Sequence, residues 1–339
     1  MLTRFSPKML VSCCGIRIRP ERWKKSFSTE KNLKNIRYSC IAFSVLQLYH
    51  MPTATKSMTA LQQIVADGKA NDESKTRLEK LEELTTEQIY SFINDGFIKI
   101  ENAFPAEIAD NCRAILWKAT QCDPNNPASW TQPVIRIGEL GLEPFKKAAN
   151  TTLLHNAFDQ LTGKGNWLPR ITLGSFPIRF PSKEKANDTG WHVDASFAGE
   201  DVNNYFEWRI NVHSKGRGLL MLFLFSDVTE KDAPTLIKIG SHFDVAKILE
   251  PEGERGLSFM ELAQRLDTIS LREEAVAIGK AGTVYLCHPF LVHAAQHHHG
   301  TTPKFMAQPP LFTRNGFDLN KTDNELCPVE KAILTGLKM

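Results

Sequence analysis

Apolar and polar positions along the chain define a series of short elements that begins at Thr85. Thr85-Thr86-Glu87-Gln88 has the form of a capping box, Ile89, Phe92 and Ile93 follow at helical spacing, and Asp95-Gly96 supplies a stop. Phe97-Ile98-Lys99-Ile100 then alternates as a strand, and a second helix is predicted from about Pro105 to Thr120. Residues 121–165 are broken by Pro, Asn and Gly, with a helix predicted over 153–161. Residues 167–173 and 176–180 read as strands, and Gly174 and Pro177 mark edges or bulges.

Strand signals strengthen downstream. Residues 208–213 alternate, whereas 218–225 form an uninterrupted apolar run, as expected of a strand buried on both faces. Lys231-Asp232-Ala233-Pro234 is a turn, and extended structure resumes over 235–239. A helical insert occupies 245–280, and the last strands, 283–287 and 291–295, are joined across His288-Pro289-Phe290. Many short strands with helices gathered towards the N-terminus predict a mainly β fold with flanking helices, a sandwich or a barrel.

Composition adds a compartment and removes some partners. The chain has 339 residues, 42% apolar and 23% charged, enough for a large core, and no apolar run approaches the length of a membrane span. Residues 1–50 hold ten Lys/Arg against Glu21 and Glu30, which leaves 31 basic and 36 acidic residues in the remainder. The body is therefore mildly acidic, and nucleic acid is not an expected partner. The basic start resembles a mitochondrial transit peptide; the other reading is an untranslated leader, with Met51 or Met58 as the first residue and a cytoplasmic protein. Seven cysteines at irregular positions, with no Cys-x-x-Cys, indicate a reducing interior. The expected division is a basic leader over 1–50, a polar linker over 51–83, a domain over 84–318 and a tail over 319–339.

The candidate chemistry centres on Gly190-Trp191-His192-Val193-Asp194. On an extended segment His192 and Asp194 project to one side and Val193 to the other. An imidazole and a carboxylate so placed are two members of the two-His, one-carboxylate face that suits non-haem Fe(II). A second such pair, His242 and Asp244, reads as a turn residue and a helix N-cap. Candidates for a third ligand are His213, His242, His288, His293 and the run His297-His298-His299. The run reads as a solvated turn, while His293 lies within an apolar strand and needs a partner there, either a metal or a hydrogen bond.

The order of these motifs resembles the phytanoyl-CoA dioxygenase family. The Thr85 helix running into Asp95-Gly96-Phe97, then the His192 and Asp194 segment, Gly240-Ser241-His242, Gly282-Thr283-Val284 and His288 through His293 follow in sequence over roughly 85–315. The resemblance implies a double-stranded β-helix, the cupin-like jelly roll, and an Fe(II)- and 2-oxoglutarate-dependent oxygenase using O2 as cosubstrate, with ascorbate as a reductant. It implies His192, Asp194 and His293 as metal ligands and catalytic residues, and gives His242 and His288 no ligand role. Eleven residues beyond the distal histidine the family carries an arginine for the distal carboxylate of 2-oxoglutarate. Here that position is Lys304, a point charge in place of a fork, with Arg314 or Arg209 as the fallback anchor. Trp191, Trp208 and Arg209 are candidate pocket residues for a small-molecule substrate, and Trp130, Arg136 and Arg179 also fall near the strands. The presence of Asp194 favours hydroxylation over the halogenation of related enzymes that have a small residue there. The competing expectations are a non-catalytic jelly-roll binding protein and a cupin-like protein whose metal sits on His297, His298 and His299.

Overall fold

The structure is a computed structural model that describes residues 83–339; the basic leader and, apart from its last residue, the polar linker lie outside the described residues. Helix α1 (Thr86–Asp95) is capped as its sequence predicts. Gln88 N donates to the Thr85 hydroxyl, Thr85 N donates to the Gln88 side chain, and Gly96 takes the left-handed conformation (φ 87°) that ends the helix. There follow β1 (Phe97–Ile100), α2 (Ala106–Thr120), β2 (Val134–Ile137), α3 (Glu143–Ala149), α4 (Thr152–Thr162) and β3 (Phe176–Arg179). The second half holds β4 (Arg209–Ile210), β5 (Arg217–Leu224), β6 (Leu236–Lys238), α5 (Ser241–Leu249), β7 (Leu257–Ser258), α6 (Phe259–Arg265) and β8 (Glu274–Val276). It closes with β9 (Val284–Cys287), β10 (His293–Ala294), β11 (Met306–Ala307), β12 (Pro310–Phe312) and α7 (Pro328–Lys338).

Two antiparallel sheets face one another, the jelly-roll arrangement. The larger has the order β1-β9-β5-β11, with β12 also on β5, and a bridge between Arg179 and Lys304 carries the β2-β3 pair onto its edge. The smaller is β10-β6-β8, and a bridge between His192 and His293 adds the His192 segment to it. Strand β5 shows why the layers hold together. Leu219, Met221 and Phe223 pack with Phe104, Leu116 and Phe158 beneath the helices, while Leu220, Leu222 and Leu224 pack with Ile237 and Leu291 between the sheets. All of β5 is buried, as an uninterrupted apolar run requires.

Several expectations change. Residues 167–173 are irregular rather than a strand and make only isolated bridges, Trp167 to Thr313 and Leu173 to Leu140, because Pro169 cannot donate to a ladder. Of 208–213 only Arg209–Ile210 is strand, and 274–276 is a strand where the sequence predicts a continuing helical insert. Gly240, not Asp244, caps α5; Asp244 lies in the first turn and receives a two-pronged ion pair from Arg272 at 2.9 and 3.0 Å. The segment expected as a tail contains α7, which packs on α1, α4 and α5 and buries Val329, Ala332 and Ile333. Among the described residues no helix is long and apolar enough to cross a membrane.

Candidate metal centre

Backbone pairing sets the site. His192 and His293 exchange both backbone hydrogen bonds at 3.0 Å, so their side chains emerge next to each other on one face, with ring centroids 4.4 Å apart. Asp194, two residues on, shares that side, and Val193 between them is buried in the hydrophobic core. Asp194 Oδ1 lies 3.8 Å from His192 Nε2 and 4.0 Å from His293 Nε2, and one ligand atom from each residue falls within 4.8 Å of the other two. Among the described residues this is the one set of three His, Cys, Asp or Glu side chains that converges in this way.

Tautomers are fixed by the chain itself. A carbonyl only accepts, so His192 Nδ1 donates to the Gly190 carbonyl (2.8 Å) and His293 Nδ1 to the Leu291 carbonyl (3.0 Å). Each ring therefore turns its Nε2 towards Asp194, the orientation that backbone carbonyls impose on metal-bound imidazoles. Burial, reinforced by the neighbouring His192, pushes the His293 imidazole down to about 4, so the ring is neutral near pH 7. Burial of Asp194 acts to raise its pKa. Arg217, the two imidazoles and a hydrogen bond from Tyr205 outweigh it and hold the carboxyl below its usual range. Two imidazoles that present Nε2 and an ionised carboxylate on one face are a donor set that fits a divalent transition ion. Phe259 packs 5.7 Å from His192 and Tyr205 5.5 Å from Phe259, an aromatic wall beside the triad.

Lys304 is buried in the larger sheet, and its ammonium donates to the Ala233 carbonyl. Arg179 lies directly opposite it, the two backbones exchanging hydrogen bonds at 3.1 and 2.8 Å. Burial, with Arg179 adding to it, holds Lys304 well below the usual lysine range, while Asp188 and Asp232 pull the other way. Asp188 accepts from Arg179 at 2.8 Å and from Arg136, and its Oδ1 is buried without a hydrogen-bond partner. Arg136 lies 52 positions from Asp188 and Arg179 lies 9, and the one signal for them is a cation, Arg179, inside the apolar stretch 176–180.

The remaining candidates are engaged elsewhere. His242 Nε2 donates to the Ile93 carbonyl at 2.9 Å; it is a buried helix residue and not, as expected, a turn residue. His288 accepts from Phe290 N at 3.1 Å through Nδ1, and His213 donates to the Phe317 carbonyl at 2.9 Å. Within His297-His298-His299 the central ring is buried between the Gly300 amide and the Thr302 carbonyl, so the run is not the fully solvated turn expected. Arg209 spends its guanidinium on the carbonyls of Arg255 and Gly256 (both 2.8 Å) and on Glu261 (3.0 Å). Arg314 is exposed and donates to the Gly165 carbonyl. Both guanidiniums are thus engaged by partners of their own. Trp191 is covered by the Lys238 ammonium 4.5 Å from its ring centre, and Trp208 donates to the Val202 carbonyl at 3.0 Å. Two groups at the triad carried no prediction: Arg217, 3.4 Å from Asp194, and Gln308, whose amide nitrogen is 3.2 Å from His293 Nε2.

No family model matches the chain, and no curated protein matches it. Among solved structures, the chain is similar to HygX from Streptomyces hygroscopicus with nickel, 2-oxoglutarate and hygromycin B bound, at 16% identity and a TM-score of 0.43 over 68% of this chain and 88% of that one. It is similar to SnoK, a non-heme alpha ketoglutarate dependent carbocyclase from nogalamycin biosynthesis, at 13% identity and a TM-score of 0.43 over 68% and 84%. The apoform of EctD from S. alaskensis is similar at 19% identity and a TM-score of 0.41 over 68% and 77%.

Proposed function

We propose that the chain is an Fe(II)- and 2-oxoglutarate-dependent oxygenase, of the phytanoyl-CoA dioxygenase type by its order of motifs, that hydroxylates an unactivated C–H bond of a small organic or lipid-like molecule. The observation that carries this reading is the convergence of His192, Asp194 and His293, with both Nδ1–H groups spent on backbone carbonyls. These three residues would hold the metal, and Lys304 would hold the distal carboxylate of the cosubstrate. The bound metal and cosubstrate supply the oxidising chemistry, in which 2-oxoglutarate and O2 yield succinate and CO2 and the second oxygen atom enters the substrate as hydroxyl. The protein's part is to orient and to exclude water. Arg217 and Tyr205 keep Asp194 ionised, the backbone fixes both imidazoles, and Phe259 with Tyr205 walls one side in apolar surface. Trp191, beside His192 in sequence, is the candidate substrate contact; Trp208 and Arg209 are better explained by the partners they already have.

The test is succinate formation from 2-oxoglutarate by the full chain with Fe(II), ascorbate and O2. Asp194→Ala is expected to abolish both metal binding and turnover. Lys304→Met is expected to keep the metal and weaken cosubstrate binding about tenfold, the scale of one lost charge-assisted contact. The bond from Lys304 to the Ala233 carbonyl favours a second reading, a non-catalytic jelly-roll binding protein whose anchor is already satisfied. Absence of both turnover and cosubstrate-induced thermal stabilisation in iron-loaded protein would establish that reading instead.

A further inference from the structure

Arg217 is the first residue of β5, the strand whose other members are apolar or glycine, and its side chain is buried. A buried guanidinium must find an anion and acceptors for its N–H groups. Its Nη1 lies 3.4 Å from Asp194 Oδ2, its Nη2 donates to the Ala195 carbonyl at 3.0 Å, and its Nε has no hydrogen-bond partner. The contact is selective within the carboxylate. Oδ1 is the oxygen that faces the two imidazole Nε2 atoms, at 3.8 and 4.0 Å, whereas Oδ2 is the oxygen turned to Arg217. Gripping the Ala195 carbonyl as well, Arg217 fixes both the side chain and the backbone of this segment, so the carboxylate cannot swing about its Cβ–Cγ bond without abandoning a buried cation.

We propose that Arg217 is a positioning residue that withholds one oxygen of Asp194 from the metal, making the carboxylate a one-oxygen ligand and keeping a coordination position free for the cosubstrate. The inference rests on the metal-centre reading of His192, Asp194 and His293. Its physical content is a competition: a free carboxylate can chelate a divalent ion with both oxygens, and the second would occupy a position that 2-oxoglutarate needs. Loss of the guanidinium removes a positive charge from the ligand and frees Oδ2. The metal is then held no less tightly while the cosubstrate is held less well. A purely structural role would loosen both together, since supporting residues that merely orient a ligand cost about 10–100-fold in metal affinity when removed.

The experiment is a calorimetric titration of the full chain with Ni(II), and then of the Ni(II)-loaded protein with 2-oxoglutarate, on the parent, Arg217→Met and Arg217→Lys, with thermal unfolding as the check on folding. The expected result is Ni(II) affinity in Arg217→Met equal to or above the parent and 2-oxoglutarate affinity lowered about tenfold or more, the scale of one lost contact to a charged group. Arg217→Lys, which keeps the charge, restores at least part of the cosubstrate affinity. If Arg217→Met does not fold, Arg217→Gln replaces it, since the amide still reaches for the Ala195 carbonyl without the charge. Unchanged 2-oxoglutarate affinity, or an equal loss of Ni(II) and 2-oxoglutarate, overturns the proposal. A parent protein that binds no Ni(II) overturns the metal-centre reading itself, a distinguishable outcome.

Discussion

Two pairs of histidines lie close together in this molecule and face opposite fates. His192 and His293 have ring centroids 4.4 Å apart, and His242 and His288 4.8 Å. His293 and His242 are both buried, and burial pushes each down to about 4. The difference lies in which nitrogens are spent. In the first pair Nδ1–H goes to a carbonyl two residues back and Nε2 faces a carboxylate. In the second, Nε2 of His242 is committed to Ile93 and its Nδ1 is buried without a partner against Gly96, while His288 uses Nδ1 to receive the Phe290 amide. Proximity and burial of imidazoles therefore do not make a metal site. A backbone that consumes the Nδ1 protons and a carboxylate facing both Nε2 atoms give a set of side chains that could hold a metal.

The comparison is most sharply broken by exchange of roles. His293→Ala is expected to lower Ni(II) affinity by about 100-fold or more and to leave the unfolding temperature close to the parent, whereas His288→Ala keeps the metal and lowers the unfolding temperature. Equal effects on metal affinity would erase the distinction. Next in size is Gly96→Ala. Gly96 has φ +87°, and a Cβ there would meet His242 Nδ1 at 2.5 Å and Leu291 Cδ1 at 2.7 Å. A cost of about 3–4 kcal/mol is expected from the left-handed backbone and overpacking together, seen as a lowered urea midpoint with metal affinity unchanged.

The smallest effect sharpens the comparison through pH. His242 titrates near 6.5 when unfolded and about 4 when folded, because burial, with Arg272 nearby, outweighs the Ile93 carbonyl and Asp244. Between those values the unfolded chain binds a proton that the folded chain refuses. Stability from this group is full above pH 6.5, falls as pH drops towards 4 and levels off below it, a loss of about 3 kcal/mol by linkage. Urea unfolding of the metal-free protein at steps from about pH 7 to 4 measures it, and His242→Gln should flatten the slope; an unchanged slope would assign the acid sensitivity elsewhere.

What was legible in the sequence followed local rules. The capping box at Thr85, the stop at Gly96 and the all-apolar β5 need only neighbours in the chain. What was not legible depends on partners far away. Residues 167–173 have strand-like composition but meet single bridges to 313 and 140. Helix α7 starts at Pro328 behind Cys327, an unusual cap; Pro328 and Glu330, which accepts from Cys327 N at 2.9 Å, are local start signals, but the packing of α7 on α1, α4 and α5 depends on distant chain. At the site, the spacing of His192 and Asp194 is readable because two residues set their geometry, whereas His293 joins them through β-pairing across about a hundred residues of intervening chain. Arg217 does have a local signal, a cation heading an apolar strand, but its anion lies in another segment. Arg209 looks available in the sequence because its carbonyl partners lie 46 and 47 positions away.

Helix α7 also bears on how the molecule can be cut. Its Glu330 carboxylate is buried and accepts from the amides of Asp318 and Cys327, and Val329 and Ile333 share one core with Phe92 of α1 and Leu154 of α4. Ending the chain at residue 318, where the jelly-roll strands are already complete, would uncover an apolar strip on three helices at once. Such a shortened protein would be prone to self-association through that strip, so recombinant versions should retain the last twenty-one residues and carry any affinity tag beyond the exposed Met339.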